Sequence, residues 1–214
     1  MKIIATIFAV ALCVASFAAA QDCPAIGSGG DTTLNKLKNR TQMPGSYIRM
    51  PVRAFLTSTP TIDDRHKHMD KFSAEDRAKI DSVNRLSVAL EGFLIDAKQS
   101  GPEACNCQSK SRHDYHVWIA PEPPLAGDKA AAKAMRANSV VVEPTPYWQE
   151  QHGDTWRLRF FTRLAHDRAR VRVSGWVMYD PEHPDQIGKT RATLWEIHPV
   201  TKVEVWSGGD WREL

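Results

Sequence analysis

The order of its periodic segments predicts that this chain of 214 residues is mainly β. The expected fold is a five-stranded, OB-like Greek-key barrel with a helix between its third and fourth strands, preceded by an irregular and helical N-terminal extension. Three observations predict it. Five segments after residue 85 alternate apolar and polar side chains with a period of two. A stretch of helical period separates the third from the fourth. The first and fourth strands each carry a mid-strand glycine, Gly92 and Gly175, as bent barrel strands need. A β-sandwich fragment is the competing architecture.

The chain starts with Met1-Lys2, then an apolar run over residues 3–17, then Ala18-Ala19-Ala20. Charge, apolar stretch and small residues in that order predict a cleavable signal peptide over residues 1–20. A bilayer-spanning helix needs about 20 apolar residues, so a retained anchor is the weaker alternative. Cys13 follows Leu12 rather than a small residue, which argues against a lipoprotein. No later segment is apolar enough to cross a membrane, so none is expected after processing. The expected location is periplasmic or secreted. Cleavage removes Lys2 and lowers the formal net charge of +3 by one. That mild charge does not demand a nucleic-acid partner. The remainder fits an extension over residues 21–85 and a barrel domain over residues 86–214.

Residues 21–70 read as irregular, punctuated by Gly27-Ser28-Gly29-Gly30, Pro44-Gly45, Pro51 and Pro60. Lys36, Lys38 and Arg40 form a small basic cluster, and His66 and His68 sit in polar chain as solvated residues. Ser73 with Asp76 three residues on predicts a capped helix over residues 73–84. Leu86, Val88, Leu90 and Leu94 share one parity and make the first strand, ending near Asp96. A polar loop follows. Tyr115, Val117 and Ile119 make the second strand, stopped by Pro121-Glu122-Pro123-Pro124. The Ala- and Lys-rich residues 128–137 predict a short helix. Residues 139–143 are the third strand, ended by Pro144 and Pro146. Asp154 is the expected cap of the next helix, whose stripe is Trp156, Phe160, Phe161, Leu164 and Ala165. Val171, Val173, Gly175, Val177 and Tyr179 make the fourth strand. The fifth covers residues 193–198 and 202–206, broken at Pro199.

In an OB barrel the loop after strand one and the loop between strands four and five flank the usual binding face. Cys105, Cys107, Asp114 and His116 fall at the first of these. Asp180, Glu182, His183, Glu196 and His198 fall at the second. The fold thus predicts a cluster at the barrel mouth, with His116, His183, His198, Cys105 and Cys107 as candidate metal ligands. Each histidine alone reads as solvated or structural, and the group together as a ligand set. Thiolate and imidazole suit zinc, which is the cofactor such a site would take. C-x-C matches zinc loops less well than C-x2-C. Three cysteines survive processing, an odd number for an oxidising compartment. A bridge from Cys23 to Cys105 or Cys107 is the preferred expectation. A strained ring between Cys105 and Cys107, or metal ligation by the pair, are the alternatives.

A second set of residues points to binding without catalysis. All seven tryptophans lie at position 118 or beyond. Trp118, Trp176 and Trp206 carry outward parity and could stack on bases, sugars or peptide side chains, with Arg172 beside them; packing of these rings under the extension is the alternative. The preferred function is therefore an extracytoplasmic, non-catalytic module for a polymer or protein ligand. The alternative is a metal-dependent hydrolase, such as a phosphodiesterase or nuclease, using the mouth cluster. Arg157, Arg159, Arg163, Arg168, Arg170 and Arg172 could clamp an anion, or simply be solvated. The chain has no H-E-x-x-H, no G-x-S-x-G and no Gly-rich phosphate loop in that region. It also lacks the Asp/Arg/Glu pattern of secreted OB-barrel nucleases.

The combination of Glu103-Ala104-Cys105-Asn106-Cys107, Asp114-Tyr115-His116, Gly175-Trp176 through Glu182-His183, and Trp195-Glu196-Ile197-His198-Pro199 resembles a group of secreted bacterial proteins of unassigned chemistry. The likeness covers the barrel region. It implies an extracytoplasmic bacterial setting and brings no activity with it.

Overall fold

The structure is a computed structural model that describes residues 23–63, 66–125 and 127–214. The expected signal peptide over residues 1–20, and Arg65, lie outside the described residues. Among the described residues no helix is long and apolar enough to cross a membrane.

In chain order the elements are α1 (Thr32–Lys38), β1 (Ile48–Pro51), α2 (Val52–Ser58), α3 (Ala74–Val83), β2 (Ser87–Gln99), β3 (Tyr115–Ala120), α4 (Lys129–Met135), β4 (Val140–Val142), α5 (Pro146–His152), α6 (Leu158–His166), β5 (Arg170–Tyr179), β6 (Trp195–Ser207) and β7 (Asp210–Glu213). Hydrogen bonding runs β2-β3-β4-β6-β5, and β5 pairs back onto β2. The β4–β6 pair is parallel and the other barrel pairs are antiparallel. This is a closed, mixed five-stranded barrel of the expected order, with a helical segment between its third and fourth strands. β1 adds in parallel to β2, and β7 pairs with β6 outside the barrel.

Two glycines let the barrel close. A Cβ on Gly175 would stand 2.3 Å from the Pro199 carbonyl oxygen and 2.7 Å from Ile197 Cγ2. A Cβ on Gly92 would stand 2.6 Å from the Ala120 oxygen. Both are shorter than any real contact, so neighbouring backbone occupies the side-chain space. Val88, Leu90, Leu94, Val117, Ile119, Val173, Val177 and Ile197 fill the interior. The bulge at Leu94/Asp96 gives β2 an extra residue, Ile95. Ile95 lies outside the barrel with Trp118, Ala120 and Val141, in a second apolar cluster under Met135 of α4.

Local chemistry explains the helices. Ser73 caps α3 by accepting from the Asp76 amide, as expected. Asp128 caps α4 by accepting from the Ala131 amide. Asp154, expected to cap the next helix, instead sits in a 3-10 turn and accepts from Arg157 Nε. The helix α6 starts after Arg157 without a side-chain cap. Pro146 does more than end a strand. It opens α5 at a first-turn position, where its missing N–H costs nothing.

Two further readings are corrected, and one strand is added. Residues 21–70 hold α1, β1 and α2 rather than irregular chain. Asp31 caps α1 and also accepts from the Met69 amide, while Val52 and Phe55 of α2 enter the main core. β6 runs unbroken through Pro199, because register shifts opposite Ser174–Val177 absorb the residue that cannot pair. Gly208 and Gly209, both at positive φ, turn the chain into β7.

Gly175→Ala should cost about 3 kcal/mol in urea unfolding, since the new methyl meets backbone that cannot rotate away. Gly45→Ala, where a Cβ meets nothing within 4 Å, should change stability by less than about 0.5 kcal/mol.

Candidate functional site

One end of the barrel is filled with charge. The β2–β3 loop brings Glu103, Cys105, Asn106 and Asp114. The start of β3 brings His116, and Glu143 follows β4. The β5–β6 loop brings Asp180, Glu182, His183 and Arg191, and β6 brings Glu196 and His198. Lys38 enters from the last turn of α1.

The inner layer is shielded from solvent. Asp114, His198, Glu143, Glu196, Arg191 and Asp180 are all buried. The His198 ring sits among three carboxylates: Asp114 Oδ2 at 3.4 Å, Glu143 Oε2 at 3.4 Å and Glu196 Oε1 at 3.6 Å. These separations are longer than hydrogen bonds, and neither ring nitrogen has a hydrogen-bond partner. Burial opposes protonation of His198, but Glu143, Asp114 and Glu196 outweigh it and push the imidazole up to about 10. Burial also raises the Glu143 carboxyl well above the usual range, and the nearby Glu196 adds to this. Arg191 Nη1 bridges Asp180 Oδ2 at 2.9 Å and Glu196 Oε2 at 3.3 Å. Asn106 donates to Asp114 Oδ1 at 3.0 Å.

The outer layer lines a cleft of about 400 Å³ whose walls include Lys38, Gly101, Glu103, Cys105, His116, Glu182 and His183. Lys38 Nζ lies 3.0 Å from Glu182 Oε2 and 3.5 Å from Glu103 Oε2. His183 Nδ1 and Asp180 Oδ2 are 2.6 Å apart. That hydrogen bond raises the His183 pKa. Burial opposes ionisation of Asp180, yet His183 and then Arg191 hold its carboxyl well below the usual range. His116 Nε2 stands 3.2 Å from Glu143 Oε1 and 3.9 Å from Glu103 Oε1. Burial, then the charges of Arg191 and Lys98, push His116 down to about 3, so its imidazole is neutral.

The fold gathers His116, His183 and Cys105 around the cleft and leaves His198 behind Glu143. Cys107 is no ligand. It is bonded to Cys23 across 84 residues, which is one of the pairings expected from the odd cysteine count. Among the described residues Cys105 is the free thiol; it is buried and donates to Glu103 Oε2 at 3.5 Å. Burial pushes this thiol up, so it stays protonated.

The expected binding residues Trp118, Trp176, Trp206 and Arg172 meet different surroundings. Trp118 points out of the barrel but is only 3% exposed. Its Nε1 donates to the Thr190 carbonyl, and the Arg136 guanidinium lies 4.0 Å over its ring. Arg136 is held there by an ion pair with Asp96. Trp176 donates to the Gln42 carbonyl and packs beneath Arg40 of the extension. Arg172 is tied to both oxygens of Glu204, at 2.7 and 2.6 Å, and lies over Trp211. Trp206 is 40% exposed and meets Trp211 edge to face. Parity identifies the face of a strand; α4 then covers Trp118 and the extension packs on Trp176, while Trp206 stays exposed.

Lys38, Glu103, Glu143 and Arg191 are site residues outside the expected ligand set. A carboxylate directly after the apolar run Val140–Val142 is a local signal that could have drawn attention to Glu143, but it does not place that residue in the site. Nothing local marks Arg191, whose partners come from the loop fold.

No protein-family model, no curated protein and no solved structure matches this chain.

Two outcomes are expected in solution. Denatured mature protein should show one reactive thiol and the native protein none, and Cys107→Ser should lower stability by about 4 kcal/mol, from the long loop released. Stability should also fall as pH rises from about 6.5 to 8. The unfolded chain releases the His198 proton near about 6.5, whereas the folded state keeps it to about pH 10. The contribution is therefore full below the lower value and drains above it, at up to about 1.4 kcal/mol per pH unit. His183, raised in the same direction, adds the same sign. His198→Gln should flatten the urea-midpoint profile over that range, and an unchanged slope would remove His198 as its source.

Proposed function

We propose that this protein is an extracytoplasmic binding module that takes one unit of a polymer or protein ligand in the polar mouth of its barrel. The cleft carries the reading. Charged and hydrogen-bonding groups from the two loops that flank an OB binding face converge there, with Lys38 as a third wall. A volume of about 400 Å³ suits a sugar, a base or a long side chain. Export is supported by the apolar N-terminal stretch and by the Cys23–Cys107 disulfide, a bond that persists in oxidising compartments. The burial of Trp118 moves the proposed contact surface from the tryptophans to the cleft.

One observation favours a second reading, a metal-assisted hydrolase. Asp180 orients His183 at the cleft wall, and Arg191 in turn holds Asp180. A carboxylate-oriented imidazole is the usual form of a general base or acid. It stands in the same cleft as the His116, Glu103 and Glu143 group.

Gly101 offers the test, because a Cβ there meets nothing within 4 Å. A single-stranded deoxyoligonucleotide, a chito-oligosaccharide and an acidic peptide, each fluorescently labelled, are titrated by anisotropy. Gly101→Trp should weaken whichever probe binds by at least about tenfold, and Trp206→Ala should leave it within about twofold. The reverse pattern would place binding on the outer face and end the cleft reading. Turnover of a chromogenic phosphodiester that requires added divalent metal, and is lost in His183→Ala, would favour the hydrolase instead.

A further inference from the structure

We propose that Glu103, His116 and Glu143 form a site for one divalent transition-metal ion of the zinc class in the wall of the cleft. The inference deepens the reading of the cleft as the functional site and rests on it. The same nitrogen, His116 Nε2, faces Glu143 Oε1 at 3.2 Å and Glu103 Oε1 at 3.9 Å. The three ligand atoms all lie within 4.8 Å of one another. Zinc bonds to nitrogen and oxygen are about 2.0–2.2 Å, which puts tetrahedral ligand atoms about 3.4 Å apart. The observed spacing brackets that edge length.

The supports differ on the two sides. Glu103 and His116 face the cleft, while Glu143 is buried behind them. Three protein ligands with an open cleft side leave a coordination position for water or a ligand group. On the inner side, Glu143 uses its other oxygen, Oε2, to meet His198 Nδ1 at 3.4 Å. This places a charged group against the back of the carboxylate, at ion-pair rather than hydrogen-bond distance. Both His198 nitrogens and Asp114 Oδ2 are fully buried without a hydrogen-bond partner, so the interior next to Glu143 has polar capacity left over. Charge points the same way. Among the described residues Glu103, Asp114, Glu143, Asp180, Glu182 and Glu196 surround this end of the barrel, and the cations that meet them are Lys38, Arg191 and the His198 imidazolium, with Lys98 near His116. One imidazole and two carboxylates suit zinc, cobalt or manganese, whereas calcium takes six to eight oxygens.

The test uses the mature, disulfide-intact protein stripped with EDTA and titrated with Zn²⁺ by calorimetry and with Co²⁺ by visible absorption. One equivalent of each should bind, and the Co²⁺ spectrum should show the d–d bands of a nitrogen and oxygen site. His116→Ala should weaken binding by at least about a hundredfold and Glu103→Gln by at least about tenfold. Glu103 lies in a loop, so its conservative variant keeps the test open if His116→Ala fails to fold. His166→Ala, an exposed imidazole on α6, should change nothing. Absence of binding to the folded protein, or equal affinity in Glu103→Gln and the parent, overturns the site. If metal binding fails while Gly101→Trp still blocks probe binding, the metal site falls and the cleft stands. If metal binds as expected while Gly101→Trp leaves probe binding intact, the cleft reading falls and the ion site stands.

Discussion

The buried ion cluster around His198 is the constraint on which this architecture depends. An imidazole with no exposed surface lies between three carboxylates inside a closed barrel end. Charges removed from water are tolerated only when opposite charges meet them at short range. Arg191 answers that demand for two buried carboxylates, and neighbouring segments add polar contacts. Arg191 bridges Asp180 and Glu196, Asn106 meets Asp114, and the Arg40 guanidinium donates to the His198 carbonyl oxygen at 2.9 Å. An apolar replacement could be equally stable. Desolvated charges gathered beside a cleft are the feature that supports the proposed function of this end of the barrel.

The barrel and its coverings divide the remaining work. Gly92 and Gly175 let strands approach closely enough to close the cylinder. Phe161 of α6, together with Trp156, enters the main core. α4 shields Trp118 and the outer cluster. With the interior filled by valine, leucine and isoleucine, polar groups collect at the mouth. Loops there can supply partners from several segments at once.

The N-terminal extension completes the site and is more than a tether. The Cys23–Cys107 bond anchors it to the β2–β3 loop. Asn39 donates to the Cys105 carbonyl oxygen, and Lys38 reaches Glu103 and Glu182. Trp148 of α5 donates to the Arg40 carbonyl, which ties the same stretch to the other side of the barrel mouth. Removing the extension would therefore strip one wall from the cleft.

Strand order, the capped helix α3, the Ala- and Lys-rich helix α4, and both barrel glycines were legible in the chain, because side-chain period, composition and capping chemistry act over a few residues. So was the gathering of Asp114, His116, His183 and His198 at one end, since that follows from topology alone. The shorter elements α1, β1 and α2 were hidden among glycines and prolines, as their apolar residues are too few to show a period. The tertiary structure alone decided three matters: which cysteine Cys23 meets, what covers Trp118, and that Glu143, Lys38 and Arg191 belong to the site. The reason is physical. A period reports which face a side chain takes, but a disulfide, a covering helix or a buried counter-charge is supplied by chain dozens of residues away.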